Sequence, residues 1–200
     1  MTESKAVKRE FVIGLEEPPI SKSIFGHTRW AWLWLIVRLY VAWQWLQATF
    51  GKLGNPAWTG AEAGSAITGF VQGAMEKAQG PRPQVQVWYA WFLENLVLPN
   101  PEVWSYLVSI GEFLVGVALL LGVFTGIAAF FGFFMNMNYL LAGSISSNPI
   151  LLLLSLLLIL AWRTSGWWGI DRWLLPSLGT PWKPGLIFQS RRNHPDPESG

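Results

Sequence analysis

A single carboxylate stands inside a long apolar segment of this sequence. Residues 104–124, WSYLVSIGEFLVGVALLLGVF, form a run about long enough to cross a bilayer, and Glu112 lies in its interior. A charged side chain at membrane depth costs roughly 3 kcal/mol on insertion scales. We therefore expect Glu112 to have a function and a polar partner.

Other polar side chains recur at helical spacing in the neighbouring apolar runs. One stripe of the first run, and the residues just after it, carries Arg38, Trp45, Thr49 and Lys52. The stripe that contains the carboxylate carries Ser105, Ser109, Glu112 and Gly116. In the third run Asn136 and Tyr139 share a face, and Asn138 is offset from it.

Depth along the helices predicts which of these groups meet. Five of them fall in the outer half of a helix bundle, where we expect them to form a pocket: Thr49, Lys52, Glu112, Asn136 and Tyr139.

A structural ion pair is the alternative role for the carboxylate. With a rise of 1.5 Å per residue, Arg38 lies ~12 Å from the inner edge and Glu112 ~12 Å from the outer edge of a ~30 Å apolar layer. The two residues would then differ by ~6 Å in height, which an arginine side chain can bridge. An Arg38–Glu112 ion pair that holds two helices together is therefore a second interpretation.

The composition is that of an integral membrane protein. Apolar residues make up 52% of the 200 residues and charged residues 13%, about half the charged fraction of a soluble domain. The chain has no cysteine, and His27 and His194 lie outside the apolar runs. We therefore expect no metal and no haem, and the net charge of +2 gives no basic stripe for nucleic acid.

The apolar runs divide the chain into four predicted spans joined by one long connection. We predict an all-α integral membrane fold, a four-transmembrane-helix bundle formed by residues 30–175. Its spans are predicted at residues 30–50, 104–124, 124–143 and 149–168. An aqueous arm (residues 1–29), an external insertion (54–100) and a tail (176–200) complete the organisation.

The insertion is too apolar for a plain loop. Thr59 and Glu62 have the spacing of a capping box, which predicts the start of an amphipathic helix that Pro81 ends. A second piece, residues 85–98, is too short to cross a bilayer and predicts an interfacial helix. Lysine and arginine are concentrated before the first span and after the last, so both termini are predicted to be cytoplasmic in a multi-pass protein of the cell membrane.

Four motifs and the insertion resemble a known family. They are WLQATFGKLGNPAW, GEFLVGVALLLGVFT around Glu112, FFGFFMNMNYLLAGSISSNP, and the spacing RxxGxxGxDR from Arg163 to Arg172. From about Trp30 to Leu175 the chain resembles the DoxX/DoxD family of four-helix membrane proteins. The insertion, with YAWFLENLVLPN, resembles the DoxD branch, the large membrane subunit of thiosulfate:quinone oxidoreductase.

This resemblance implies a subunit that passes electrons from a sulfur compound outside the membrane to a quinone, the expected electron acceptor, within it. The catalytic candidates are then Glu112 as the proton group, Lys52, which can attract an anion, and Arg38. The candidate quinone-binding residues are Trp45, Thr49, Asn136, Asn138 and Tyr139. Of the 14 tryptophans, Trp43, Trp45, Trp88 and Trp91 could sandwich a quinone ring, although core packing is the plainer interpretation.

Partners are part of this expectation. The enzyme that the chain resembles has two subunits, and no small-subunit domain is recognisable here, so a second protein subunit or a larger membrane complex is expected. A non-catalytic accessory or scaffold subunit of a respiratory or photosynthetic complex is the main alternative function, and a small anion or proton carrier is a third. A homo-oligomer is also compatible with the sequence.

Overall fold

The computed structural model describes residues 18–179, and every element in that range is helical. Residues 1–17 of the predicted arm and residues 180–200 of the predicted tail lie outside this range, as does His194. The elements are α1 (Pro19–Gly26), a 3-10 turn (Thr28–Trp30), α2 (Ala31–Leu53), α3 (Pro56–Thr59), α4 (Ser65–Lys77), α5 (Val87–Phe92), a π-helical turn (Leu93–Val97), α6 (Pro101–Leu121), α7 (Thr125–Leu141), α8 (Asn148–Leu160), α9 (Trp162–Ser165) and α10 (Asp171–Ser177).

The four longest apolar helices pack in a closed arrangement. Helix α2 lies along α6 and α7 lies along α8, and contacts between α6 and α7 and between α2 and α8 join the two pairs. Their shared core is filled by Trp34, Val41, Ala42, Trp45, Val115, Leu119, Ala128, Ala129, Leu151, Leu158 and Ala161. We call these four helices the packed helices.

Small residues set how closely these helices approach. A side-chain carbon on Gly116 of α6 would lie 2.9 Å from two carbons of the Leu46 side chain on α2. Real carbon contacts essentially never come so close, so glycine fixes both the spacing and the register of α2 against α6.

Helices α2, α6 and α7 begin and end within three residues of the predicted spans, whereas the fourth predicted span is interrupted. Helix α8 ends at Leu160, and the chain turns at Ala161 before the short helix α9. By length and composition, α6 is the one helix in residues 18–179 that could cross a membrane, and α7 and α8 are apolar but shorter.

The insertion folds as a second small core at one end of the packed helices. Helices α4 and α5, the loop between them and the π-helical turn bury Ile67, Val71, Ala74, Val85, Tyr89, Ala90, Leu93 and Val97, and they pack against the start of α6 and the end of α7. We call this the insertion end, and the opposite end, where α1, α9 and α10 lie, the terminal end.

The predicted capping box is wrong, although the predicted helix exists. Helix α4 begins at Ser65, and its N-cap is Gly64 with a φ of 98°. The Thr59 hydroxyl instead donates to the carbonyl oxygens of Lys52 and Leu53, at 3.2 Å each. Gly64 is required there because its backbone presses against Pro101 and Glu102 at the start of α6.

Candidate functional site

Glu112 lies at the junction of three elements and has a charged partner. Its side chain is 1% exposed, and its Oε2 accepts a hydrogen bond from Lys52 Nζ at 2.6 Å. The Tyr139 hydroxyl donates to Oε1 at 2.7 Å. Both carboxylate oxygens are therefore engaged, one by α2 and the other by α7.

Lys52 connects this carboxylate to the surface of the insertion end. It lies in the last turn of α2, its side chain is 16% exposed, and its ammonium is 4.8 Å from the centre of the Trp58 ring. Helix α3, which carries Trp58, is fixed in place because Ser105 of α6 donates to the Trp58 carbonyl at 2.7 Å. The ion pair is thus covered by a short helix that is tied to both α2 and α6.

Aromatic rings hold Tyr139 in position. Its ring lies 6.5 Å from that of Trp45 and 6.3 Å from that of Phe70, the latter edge to face. Both arrangements fall in the range in which aromatic pairs attract each other. The phenol is therefore clamped between α2 and α4 with its hydroxyl aimed at Glu112.

A cavity of about 1370 Å³ runs from this cluster along the seam between α6 and α7. Lys52, Glu112, Asn136 and Tyr139 line its polar end. The rest of the wall is apolar, and several of its residues are exposed on the outer faces of α6 and α7: Leu107, Ile110, Leu114, Ile127, Phe131 and Phe134. We call this cavity the α6–α7 cleft, and its exposed rim shows that it opens sideways.

Two buried polar groups on the cleft wall have no partner among the described residues. Asn136 is fully buried, and neither its amide nitrogen nor its oxygen makes a hydrogen bond. The Trp45 indole N–H is also unpaired. Gly132 precedes Asn136 by about one turn of α7, and a side-chain carbon on Gly132 would lie 3.1 Å from Nε1 of Trp45. The Trp45 indole therefore packs about one helical turn from Asn136. Buried polar groups are nearly always hydrogen-bonded, so these atoms can bind a ligand with polar groups.

The remaining two predicted binding residues have local roles. The buried Thr49 hydroxyl donates to the Trp45 carbonyl at 3.0 Å. Asn138 lines the cleft and ties the insertion to α7, because the Tyr89 hydroxyl donates to its side-chain oxygen and to its carbonyl, both at 3.0 Å. Burial raises the pKa of Tyr89 to about 12, so this donor keeps its proton at neutral pH.

The predicted alternative pairing of Arg38 with Glu112 is wrong. Arg38 Nη2 donates to the carbonyl oxygen of Trp168 at 3.0 Å, and the guanidinium packs against Gly122 and Gly169 at the terminal end. Arg38 precedes Lys52 by 14 residues, or ~21 Å of helix. The first two turns of α2 extend past the α6–α7 turn to pack near α1 and α9, which places Arg38 far from Glu112.

Asp171 is a buried carboxylate at the terminal end, and the sequence analysis assigned it no role. It is 1% exposed, accepts hydrogen bonds from the backbone N–H groups of Phe124 (2.6 Å) and Thr125 (2.8 Å), and acts electrostatically on Arg38. It therefore caps the start of α7 and compensates the buried arginine. The motif RxxGxxGxDR contained this signal, since it joins Asp171 to Gly166, which makes room for the acid itself, and to Gly169, which makes room for Arg38.

Trp58 and Tyr89 were also missed as parts of the site. Each comes from the insertion, and neither has a spacing in the sequence that relates it to Lys52 or Asn138. Their contacts follow from the docking of the insertion on the packed helices, which sequence spacing does not reveal.

Residues 18–179 consist of helices with apolar outer faces and a buried ion pair, which are features of a membrane protein. Residues 33–143 match the DoxX family, a family of membrane proteins, and this match covers more than half of the chain. The protein belongs to the DoxX family. Comparison with curated proteins and with solved structures gave no match.

Proposed function

We propose that this protein is the membrane subunit of a quinone-linked oxidoreductase and that the α6–α7 cleft receives the quinone. The observation that carries the proposal is the buried Lys52–Glu112–Tyr139 cluster at the polar end of an apolar, sideways-open cleft. A quinone has a polar head and an apolar tail, which match the polar end and the apolar wall of the cleft. Membership in the DoxX family supports the same interpretation.

The residues present fit a quinone. The Asn136 amide and the Trp45 indole N–H are unpaired donors on the cleft wall. The carbonyl oxygens of a quinone could accept hydrogen bonds from both. The aromatic rings of Trp45 and Tyr139 lie beside them. A bound quinone takes up two electrons and two protons when it is reduced to quinol.

The chain's own contribution is to hold and deliver a proton. Glu112 is within hydrogen-bond reach of both Lys52 and Tyr139, and the three groups can redistribute a proton among their oxygen and nitrogen atoms. The cleft wall excludes water from the remainder of the site. Asn136 and Trp45 orient the ligand, and Thr49 fixes the backbone carbonyl of Trp45.

The electrons must come from a donor outside this chain. We propose that a second subunit docks at the insertion end and brings electrons from a reduced sulfur compound such as thiosulfate, since Lys52 is partly exposed there and contacts Glu112. Arg38, which lies at the terminal end, takes no part in this chemistry and stabilises the fold.

The proposed arrangement in the membrane is a multi-pass bundle. Helices α2, α6, α7 and α8 would each cross, with the turn at Ala161 and α9 completing the fourth crossing. Both termini would lie in the cytoplasm and the insertion outside.

Binding and turnover test this function separately. The full chain in lipid nanodiscs, with its donor subunit where that is identified, should bind a short-chain quinone saturably. Asn136→Leu should weaken binding at least tenfold, and Glu112→Gln should keep binding while quinone reduction falls at least tenfold. Ser155→Ala is the control for the first variant, because Ser155 is also buried and unpaired but does not line the cleft. If Asn136→Leu bound quinone as tightly as the wild type, Asn136 would not be a binding residue. If Glu112→Gln kept full turnover, Glu112 would not take part in the reaction.

A non-catalytic accessory subunit is the second candidate, and the surface of α5 favours it. Trp88 and Trp91 are each 60% exposed and are spaced three residues apart, so they share one face of the insertion. Such a face suits a partner in a larger complex. Stable co-purification with that complex, together with no quinone binding by the isolated chain, would favour this function over the first.

A further inference from the structure

The hydrogen bonds of Glu112 connect it to only one end of the molecule. The titratable groups that face it are Lys52 from α2 and Tyr139 from α7, and Tyr89 lies next to Tyr139. Helix α3 above them contributes Trp58 and no charged group. Lys52 is partly exposed, so it is in contact with both the buried carboxylate and the water at the insertion end.

The opposite direction is closed by apolar packing. Between the level of Glu112 and the terminal end, the packed helices are filled by the core cluster that contains Trp45, Val115, Leu119 and Ala129. The cleft also runs that way, but its wall there consists of Ala118, Val123, Phe124, Ile127 and Ala128, whose side chains have no group that could pass on a proton. Arg38 and Asp171 at the terminal end are bonded to backbone groups of that end.

Among the described residues, the polar atoms between the Glu112 cluster and the Arg38–Asp171 pair do not form a continuous series of hydrogen bonds. Asn136, the Trp45 indole nitrogen and the Ser155 hydroxyl are each buried and make no hydrogen bond. A proton needs a continuous series of hydrogen-bonded groups, and none of these side chains continues one toward Arg38.

We infer that the Glu112 carboxyl exchanges its proton with water at the insertion end alone, through the Lys52 ammonium. The ammonium gives a proton to the carboxylate, and the resulting amine takes one from hydronium in the water outside, which leaves a water molecule, so charge and protons balance. This goes beyond the proposed redox function, because it holds whether or not a quinone binds. If the chain does reduce a quinone, the proton that Glu112 supplies comes from the compartment that faces the insertion.

Sided labelling with dicyclohexylcarbodiimide tests this exchange without any redox activity. This reagent is lipid-soluble and modifies carboxyl groups only in their protonated form. The full chain is reconstituted in liposomes, the pH is set independently on the two sides, and the adduct on Glu112 is quantified by mass spectrometry. The chain has no cysteine, so a single Ser65→Cys substitution with an impermeant maleimide identifies the molecules whose insertion faces outward.

The expected result is that labelling of Glu112 follows the pH on the insertion side. Acidifying that side should raise labelling several-fold, and acidifying the other side should leave it unchanged. Glu112→Gln removes the adduct and confirms its position. Labelling that follows the opposite side, follows both sides equally, or does not occur at any pH would overturn the inference.

Arginine at position 52 separates charge from proton transfer. A guanidinium keeps the positive charge but does not give up its proton. After a rapid pH step on the insertion side, Lys52→Arg should therefore slow the change in labelling at least tenfold. Lys77→Arg is the matched control, since Lys77 also lies at the insertion end but donates to the Gly143 carbonyl at 2.9 Å. An equally fast response in Lys52→Arg would exclude Lys52 as the route.

Discussion

Glu112 differs from an ordinary buried carboxylate in that its partners come from two other helices. Lys52 belongs to α2 and Tyr139 to α7, so the three residues connect both helix pairs at the insertion end. Loss of one partner would leave the other charge buried and unpaired, whether or not the cluster takes part in chemistry. Its energetic coupling can be measured apart from any activity.

Removing Lys52 should destabilise the protein, and removing Glu112 as well should restore much of the loss. Lys52→Met leaves the carboxylate buried without its counter-charge, and we expect a loss of about 3 kcal/mol in the free energy of unfolding. In Lys52→Met/Glu112→Gln no buried charge remains, so the loss should be smaller than in Lys52→Met. The single variant Glu112→Gln completes a double-mutant cycle, and titration with a denaturing detergent measures all three variants. Losses that simply add would show that the two side chains do not interact.

Tyr89 should make the docking of the insertion sensitive to alkaline pH. Its pKa is raised from 10.0 to about 12 because burial disfavours the phenolate. Since the folded pKa is above the unfolded one, its stabilising contribution is complete below about pH 10 and is lost as the pH rises toward about 12.

Ultraviolet absorbance of tyrosinate measures this titration. The difference between the wild-type and Tyr89→Phe curves should be a single transition near the alkaline end of the range. If the difference curve instead showed its transition near pH 10, the pKa of an exposed phenol, Tyr89 would not be buried against Asn138.

At the residue scale, the sequence predicted which groups meet at Glu112 but not which cation pairs with it. Lys52 and Tyr139 could be foreseen because helical spacing puts each on a stripe with other polar residues, whereas Thr49, expected in the same pocket, bonds to the Trp45 carbonyl instead. Arg38 was misplaced because its depth was measured from the end of its own helix. The helices are not level: α2 extends past the α6–α7 turn, which only the packing of Leu46 on Gly116 reveals.

At the scale of elements, the contact between α2 and α6 positions the ion pair. Lys52 and Glu112 can meet only if the two helices keep their register, and Gly116 permits the close approach that fixes it. A larger residue at this position would push α2 away from α6.

Gly116→Ala should therefore destabilise the protein by about 2 kcal/mol through overpacking. The added carbon meets both the side chain and the backbone of Leu46. Gly111→Ala on the same helix is the control, since its nearest neighbour would be the Met135 sulfur at an ordinary contact distance of 3.5 Å. Thermal unfolding in detergent compares the two variants, and equal stability would show that the register depends on other contacts.

The helices themselves were predictable because apolar runs, prolines and glycines mark their ends. The start of α4 was not, although Thr59 and Glu62 have the spacing of a capping box. The tertiary contact of Gly64 with the start of α6 moves the helix start to Ser65, and the Thr59 hydroxyl is used by α2 instead. Local spacing cannot show that a distant segment competes for the same residues.

At the scale of the whole molecule, the two ends differ in what they can do. The terminal end is closed by Arg38, Asp171 and backbone groups, and the insertion end carries the exposed part of the ion pair. Positive residues in the sequence predict that the terminal end faces the cytoplasm. This orientation decides which compartment supplies the proton.

Single cysteines should report this orientation, because the natural chain has none. Ser65→Cys, exposed at the start of α4, should react with an impermeant maleimide in intact cells. His27→Cys, exposed just after α1, should react only after the membrane is permeabilised. The reverse pattern would invert the predicted topology, and reaction of both residues in intact cells would show that α2, which lies between them, does not cross the membrane.

The central claim is that the α6–α7 cleft, with Glu112 at its polar end, is a quinone site. Photolabelling of the chain in nanodiscs with an azidoquinone, followed by peptide mapping, tests it most directly. We expect labels on cleft residues such as Trp45, Val115 and Met135, and their loss when unlabelled quinone competes. Labels spread over the outer faces of the helices, and unchanged by the competitor, would contradict it.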